Sequence, residues 1–116
     1  MATVKATHTA SGILLAEVPV SETSSVEGNY YIPESALKLP LPGKDENAKP
    51  RLTPSTTHYH CPWKGQSSYY NLVTENGKTV KDIAWYYADP SKKAIEKGVT
   101  KDKVAFDKGQ VKVVVE

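Results

Sequence analysis

Ser67-Ser68-Tyr69-Tyr70-Asn71-Leu72-Val73-Thr74, then Glu75-Asn76-Gly77-Lys78, then Thr79 through Ala88 with Ile83-Ala84-Trp85-Tyr86-Tyr87, is the stretch that decides the fold. Two runs rich in aromatic and β-branched residues flank an Asn-Gly pair. Such runs suit a pleated, half-buried surface. Asn-Gly accepts the positive φ angles of a type I′ turn, whose twist matches the strands on either side. The stretch therefore predicts a hairpin of two long strands, placed at the centre of a sheet.

Working outward, the chain keeps returning to strand patterns. Residues 2–9 alternate Val4 and Ala6 against Lys5 and Thr7, Ser11-Gly12 offers a turn, and Ile13 to Val18 reads as the returning strand up to Pro19. Gly28-Asn29 precedes a short aromatic strand, Tyr30-Tyr31-Ile32, closed by Pro33. Glu34 to Leu37 suits one helical turn with Pro33 at its first position. From Leu39 to Thr53 prolines, Gly43 and Lys44-Asp45-Glu46 replace any periodicity, which reads as a surface loop with no assigned role. Thr56 to His60 is a further strand.

Beyond Ala88, Asp89-Pro90 suits the cap and first position of a short helix, with Ala94 and Ile95 facing inward and Gly98 just past its end. Val104-Ala105-Phe106 and Val111 to Val115 read as a closing hairpin across Asp107–Gln110. Seven or eight strands joined by short turns, with one short helix, give an all-β class. The expected architecture is one small antiparallel sheet, curled like a barrel or folded into two layers.

At 116 residues the chain fits a single domain spanning 1–116. Hydrophobic residues make up 39% and charged residues 24%, with 15 basic against 13 acidic side chains and a net charge of +2. That balance lacks the dense basic face of a nucleic-acid binder. The run Ile13–Ala16 is far too short to span a membrane, and Met1 to Ala10 reads as strand rather than signal peptide. One cysteine excludes an internal disulfide and the paired knuckles of a structural zinc site. The expected setting is cytoplasmic, with no membrane or nucleic-acid partner and no cofactor.

Chemistry gathers in His58-Tyr59-His60-Cys61-Pro62-Trp63-Lys64-Gly65, which holds the only cysteine, two of the three histidines, a tryptophan and a lysine. Pro62 and Gly65 bracket a tight bend. His60 is adjacent to Cys61, as a base for a thiolate would be, yet strand neighbours point to opposite faces, which favours packing for Cys61 over catalysis. His58 and His60 share a face at a spacing that permits metal but is common without it, so no metal is assigned. Lys64 beside Gly65 suits an anion, although the pattern is not a phosphate loop. Trp63, Tyr69, Tyr70, Trp85, Tyr86 and Tyr87 fall close together, enough for core packing and for a pocket wall as well.

Several of these pieces recur in a known order. Tyr31-Ile32-Pro33, Thr57, His60-Cys61-Pro62-Trp63-Lys64-Gly65, Tyr69, Ala84-Trp85 with Tyr87 and Pro90, and Val104-Ala105-Phe106 resemble the family called Domain of Unknown Function 427, over about residues 13–115. The resemblance implies a curved antiparallel domain similar to the β-tent fold. Some relatives in that fold carry zinc on cysteine pairs, which this chain lacks, and ligand-binding relatives use aromatic cages. His58 and the Leu39–Thr53 loop lie outside the family pattern.

The reading of function is a pocket with aromatic walls for a small polar or anionic ligand, using His60, Cys61, Trp63, Lys64, Tyr69, Trp85 and Tyr87. Lys64 and His60 are expected to converge there. Whether the site is catalytic stays open. The alternative is a non-catalytic interaction or structural module, with a homodimer as one form.

Overall fold

The structure, a computed structural model, describes residues 2–116. Nine strands form two antiparallel sheets: β1 (Thr3–His8), β2 (Leu14–Pro19), β3 (Ser24–Val26), β4 (Asn29–Pro33), β5 (Arg51–Cys61), β6 (Gly65–Val73), β7 (Thr79–Tyr87), β8 (Lys103–Phe106) and β9 (Val111–Val115). A short helix, α1 (Lys92–Glu96), lies between β7 and β8. The small sheet has the order β2-β1-β9 and the large one β3-β4-β8-β7-β6-β5, and neither closes into a barrel.

Side-chain alternation along the large sheet divides its two faces. On β4, Tyr30 and Ile32 face the small sheet while Tyr31 faces away. On β8, Val104 and Phe106 face it while Ala105 does not. The same period of two sends Tyr86 to one side of β7 and Trp85 and Tyr87 to the other. The first core, between the sheets, is built on Val4, Leu15, Ile32, Leu72, Ile83 and Val111, all at most 1% exposed. The second, smaller core lies on the far face, where Val26, Tyr31, Cys61 and Tyr87 pack against Ala94 and Val99 of the α1 region. That far face carries the candidate site.

The hairpin from Gly65 to Tyr87 forms as expected, with Tyr69 opposite Trp85 and Leu72 opposite Val80. Its turn is of another kind. Asn76 keeps a negative φ and only Gly77 is positive, at 83°, with the Gly77 N–H bonded to the Thr74 carbonyl and the Thr74 N–H to the Lys78 carbonyl. This is a three-residue loop with a left-handed glycine. The double positive φ of a type I′ turn appears instead at Glu27-Gly28 (53° and 80°), between paired Val26 and Asn29.

Four other expectations are corrected. β8 and β9 do not pair with each other: β8 is flanked by β4 and β7, so it has no free edge, and β9 crosses to the small sheet beside β1. The helix is capped by Ser91 rather than Asp89: its hydroxyl accepts the Ala94 N–H at 3.0 Å. Ala94 is buried as expected, but Ile95 is half exposed, because one turn of helix cannot turn both neighbours inward. The proline-rich segment is also shorter than expected, since β5 begins at Arg51.

Candidate functional site

Trp63 and Lys64 sit in the turn between β5 and β6. Gly65 closes that turn with φ 109°, and a Cβ there would lie 3.1 Å from the Asp89 carbonyl oxygen. Both the left-handed conformation and the close approach require glycine. The Ser91 N–H donates to the Lys64 carbonyl at 2.9 Å, and the Ser91 hydroxyl donates to the Trp63 carbonyl. The cap of α1 thus also fixes the backbone of the turn.

So held, Lys64 points into the second core. It is 8% exposed, and its ammonium donates to Glu27 Oε1 at 2.5 Å. The same Nζ stands 5.3 Å from the Trp63 ring centroid and 5.5 Å from that of Tyr87. Both are cation–π distances. Tyr31 packs on Tyr87, with ring centroids 6.4 Å apart, and its hydroxyl accepts the Trp85 indole N–H at 3.3 Å. Burial alone pulls the Lys64 ammonium toward losing its proton. The hydrogen bond it donates to Glu27 and the proximity of the Tyr31 and Tyr87 hydroxyls outweigh it, so its pKa lies above the ordinary lysine value.

Burial likewise drives the Tyr87 phenol, with Tyr31 adding to it and Lys64 opposing, and the pKa is pushed up to about 12 from 10.0. A phenol whose folded pKa is raised favours the folded state while it is protonated. Its contribution is complete below the unfolded value and is lost as pH climbs from about 10 to about 12. Alkaline unfolding curves should show stability falling in that window. Phenolate absorbance should show a late titrating step that Tyr87→Phe removes; a Tyr87 titrating with the exposed tyrosines would contradict this placement.

Of the residues singled out from sequence, Cys61, Trp63, Lys64, Trp85 and Tyr87 come together in the second core. Tyr69 reaches them only through Trp85, with rings 6.2 Å apart. His60 does not join them. Cys61 turns inward and is buried, so its strand neighbour His60 faces the other way, into an open depression with Gln66, Ser68 and Asp89. The expected convergence of His60 with Lys64 therefore does not occur. His58 is exposed, with Nδ1 3.2 Å from the Ser68 hydroxyl. Among the described residues, no group of three or more His, Cys, Asp and Glu side chains converges.

Glu27 was not legible as a partner for Lys64. It lies 37 positions earlier, and Glu-Gly is a weaker turn signal than Asn-Gly because a non-glycine residue at positive φ is uncommon.

The profile of the family described as a domain of unknown function (DUF427) matches residues 8–116. The chain belongs to this family. No curated protein matches it. The DUF427 match starts within β1, earlier than the expected position 13, and takes in both Glu27 and Lys64. No helix among the described residues of this DUF427 domain is long and apolar enough to cross a membrane.

Proposed function

We propose that this DUF427 domain binds a small anionic ligand at Lys64, with Glu27 as the group that the ligand displaces. One observation carries the reading: a lysine whose side chain is 10% exposed is neutralised by a carboxylate that is 54% exposed. A buried cation is costly without a countercharge, so this site always demands an anion. Glu27 supplies it from the tip of a two-residue turn, where solvent competes for the carboxylate. A ligand phosphate or carboxylate meets the same ammonium, with Trp63 and Tyr87 as apolar walls for the rest of the molecule. Cys61 packs behind Tyr87 and takes no chemical part. A cytoplasmic setting suits its unpaired thiol.

The test is NMR titration of the native chain with inorganic phosphate and a series of small carboxylates. The Lys64 ammonium, the Trp63 indole and the Glu27 amide should move together and saturate. If those signals stay fixed while surface lysines respond, the site is a structural clamp and the proposal fails.

A second reading, an interaction module, rests on β5. It ends the large sheet, and residues Thr56 to His60 are all exposed, Tyr59 at 59%. Sheet edges are normally blunted by shortness, charge, proline or a bulge. The first half of β5 has Pro54 and a register shift before His58, where Asp82 accepts from Ser55 Oγ (2.5 Å) and Thr57 Oγ1 (2.8 Å). The half from His58 to Cys61 has none of these devices. We infer that it pairs with the same strand of a second copy. Light scattering should then show a concentration-dependent dimer that Tyr59→Lys converts to monomer, whereas a native chain that stays monomeric at high concentration rules the pairing out.

A further inference from the structure

The turns at one end of the two sheets enclose a second cleft, on the side of the large sheet away from Lys64. It has a volume of about 530 Å³, within the ordinary range for small-molecule sites. The β1–β2 turn contributes His8, Ser11 and Ile13, and the β6–β7 turn contributes Glu75, Asn76 and Lys78, with Val80 on the apolar side.

His8 makes this more than a surface dent. It is 94% buried, being only 6% exposed, on the inward face of β1. Its Nδ1 lies 2.6 Å from Ser11 Oγ, while its Nε2 makes no hydrogen bond among the described residues and stays accessible to solvent on the cleft. Ser11 Oγ already accepts the Ile13 N–H at 3.2 Å, so its proton is free to go to Nδ1. In the tautomer in which the Ser11 hydroxyl donates to Nδ1, Nε2 carries the ring proton and offers a donor at the floor. The ring is therefore buried except at Nε2, which stays accessible from the cleft and is the one point at which His8 can meet a ligand.

The rim adds one charge of each sign, Glu75 and Lys78, both exposed. The Asn76 side-chain oxygen accepts from the Thr74 hydroxyl, which leaves its amide N–H groups for the cleft. A ligand with a single charge gains from one rim residue and is opposed by the other. A ligand with both charges gains from both.

We propose that this cleft binds a small zwitterion of dipeptide size or less. Its ammonium faces Glu75, its carboxylate faces Lys78, a carbonyl accepts from His8 Nε2, and its apolar part lies along Ile13 and Val80. The site is separate from Lys64 and stands or falls independently of it.

Glycyl-leucine is a suitable probe, with its N-acetyl and C-terminal amide derivatives as versions that lack one charge. NMR of the native chain should show the His8 ring nitrogens and the β6–β7 turn amides shifting with glycyl-leucine at about 1 mM, the weak end of useful affinity. Each single-charge derivative should bind about two- to fivefold more weakly, as expected for a partly exposed ion pair. Glu75→Gln should abolish discrimination against the acetylated probe, and Lys78→Met discrimination against the amide. Both residues are exposed in a turn, so unchanged melting of the variants separates binding from folding. An unmoved His8 ring, or equal binding of all three probes, overturns the proposal.

Discussion

Glu27→Gln is expected to lower stability by about 1–2 kcal/mol, roughly 5 °C in Tm, and to make that loss recoverable by added anion. The Lys64 ammonium is buried whether or not Glu27 is charged. With glutamine it keeps a neutral acceptor but loses its countercharge. The penalty is smaller than for a fully buried pair because Glu27 itself is largely in water. Phosphate or a small carboxylate should then bind the variant more tightly than the native chain, since the internal competitor is gone. Lys64→Met gives the opposite pattern. The change conserves volume, and an apolar side chain in place of a buried ion pair costs little, so stability should stay within about 1.5 kcal/mol of the native value while all anion response disappears. If Glu27→Gln destabilises the fold and no anion restores it, the pair is a clamp and nothing more.

Gly98→Ala should be more damaging, at about 2–4 kcal/mol by chemical denaturation, summing left-handed strain and overpacking. Gly98 follows α1 with φ 93°, and a Cβ there would lie 2.3 Å from Ser24 Oγ and 2.7 Å from Ser24 Cβ. Ser24 is on β3, the strand that leads into the Glu27 turn. The helix end therefore fixes the position of the hairpin that carries the carboxylate. Adding Ser24→Gly should restore the steric part of the loss and leave the conformational part, together with the lost Lys103 contact to the Ser24 hydroxyl (2.8 Å). A single variant as stable as the native chain would show that the hairpin and the helix end are not in contact in solution.

These two cases also show where sequence reading stops. The all-β class, the long hairpin at Gly65–Tyr87 and the gathering of Cys61, Trp63 and Lys64 at one bend follow from local rules: alternation with a period of two, turn chemistry and proline placement. Alternation also separated His60 from Cys61 correctly. It could not place His60 relative to Lys64, because a residue inside a turn obeys no strand period. The β8–β9 pairing failed for a related reason. Two apolar runs across a short loop look like a hairpin, and only the occupied flanks of β8 prevent it.

The secondary-structure class, the bend at Pro62–Gly65 and the aromatic neighbourhood are legible along the chain, because each depends on residues a few positions apart. Only the folded arrangement turns Lys64 inward, makes Glu27 its partner and leaves a His8 ring nitrogen open on a cleft. Those outcomes depend on which strands become neighbours across long stretches of chain, and burial then decides which polar groups must find a charge or a hydrogen bond.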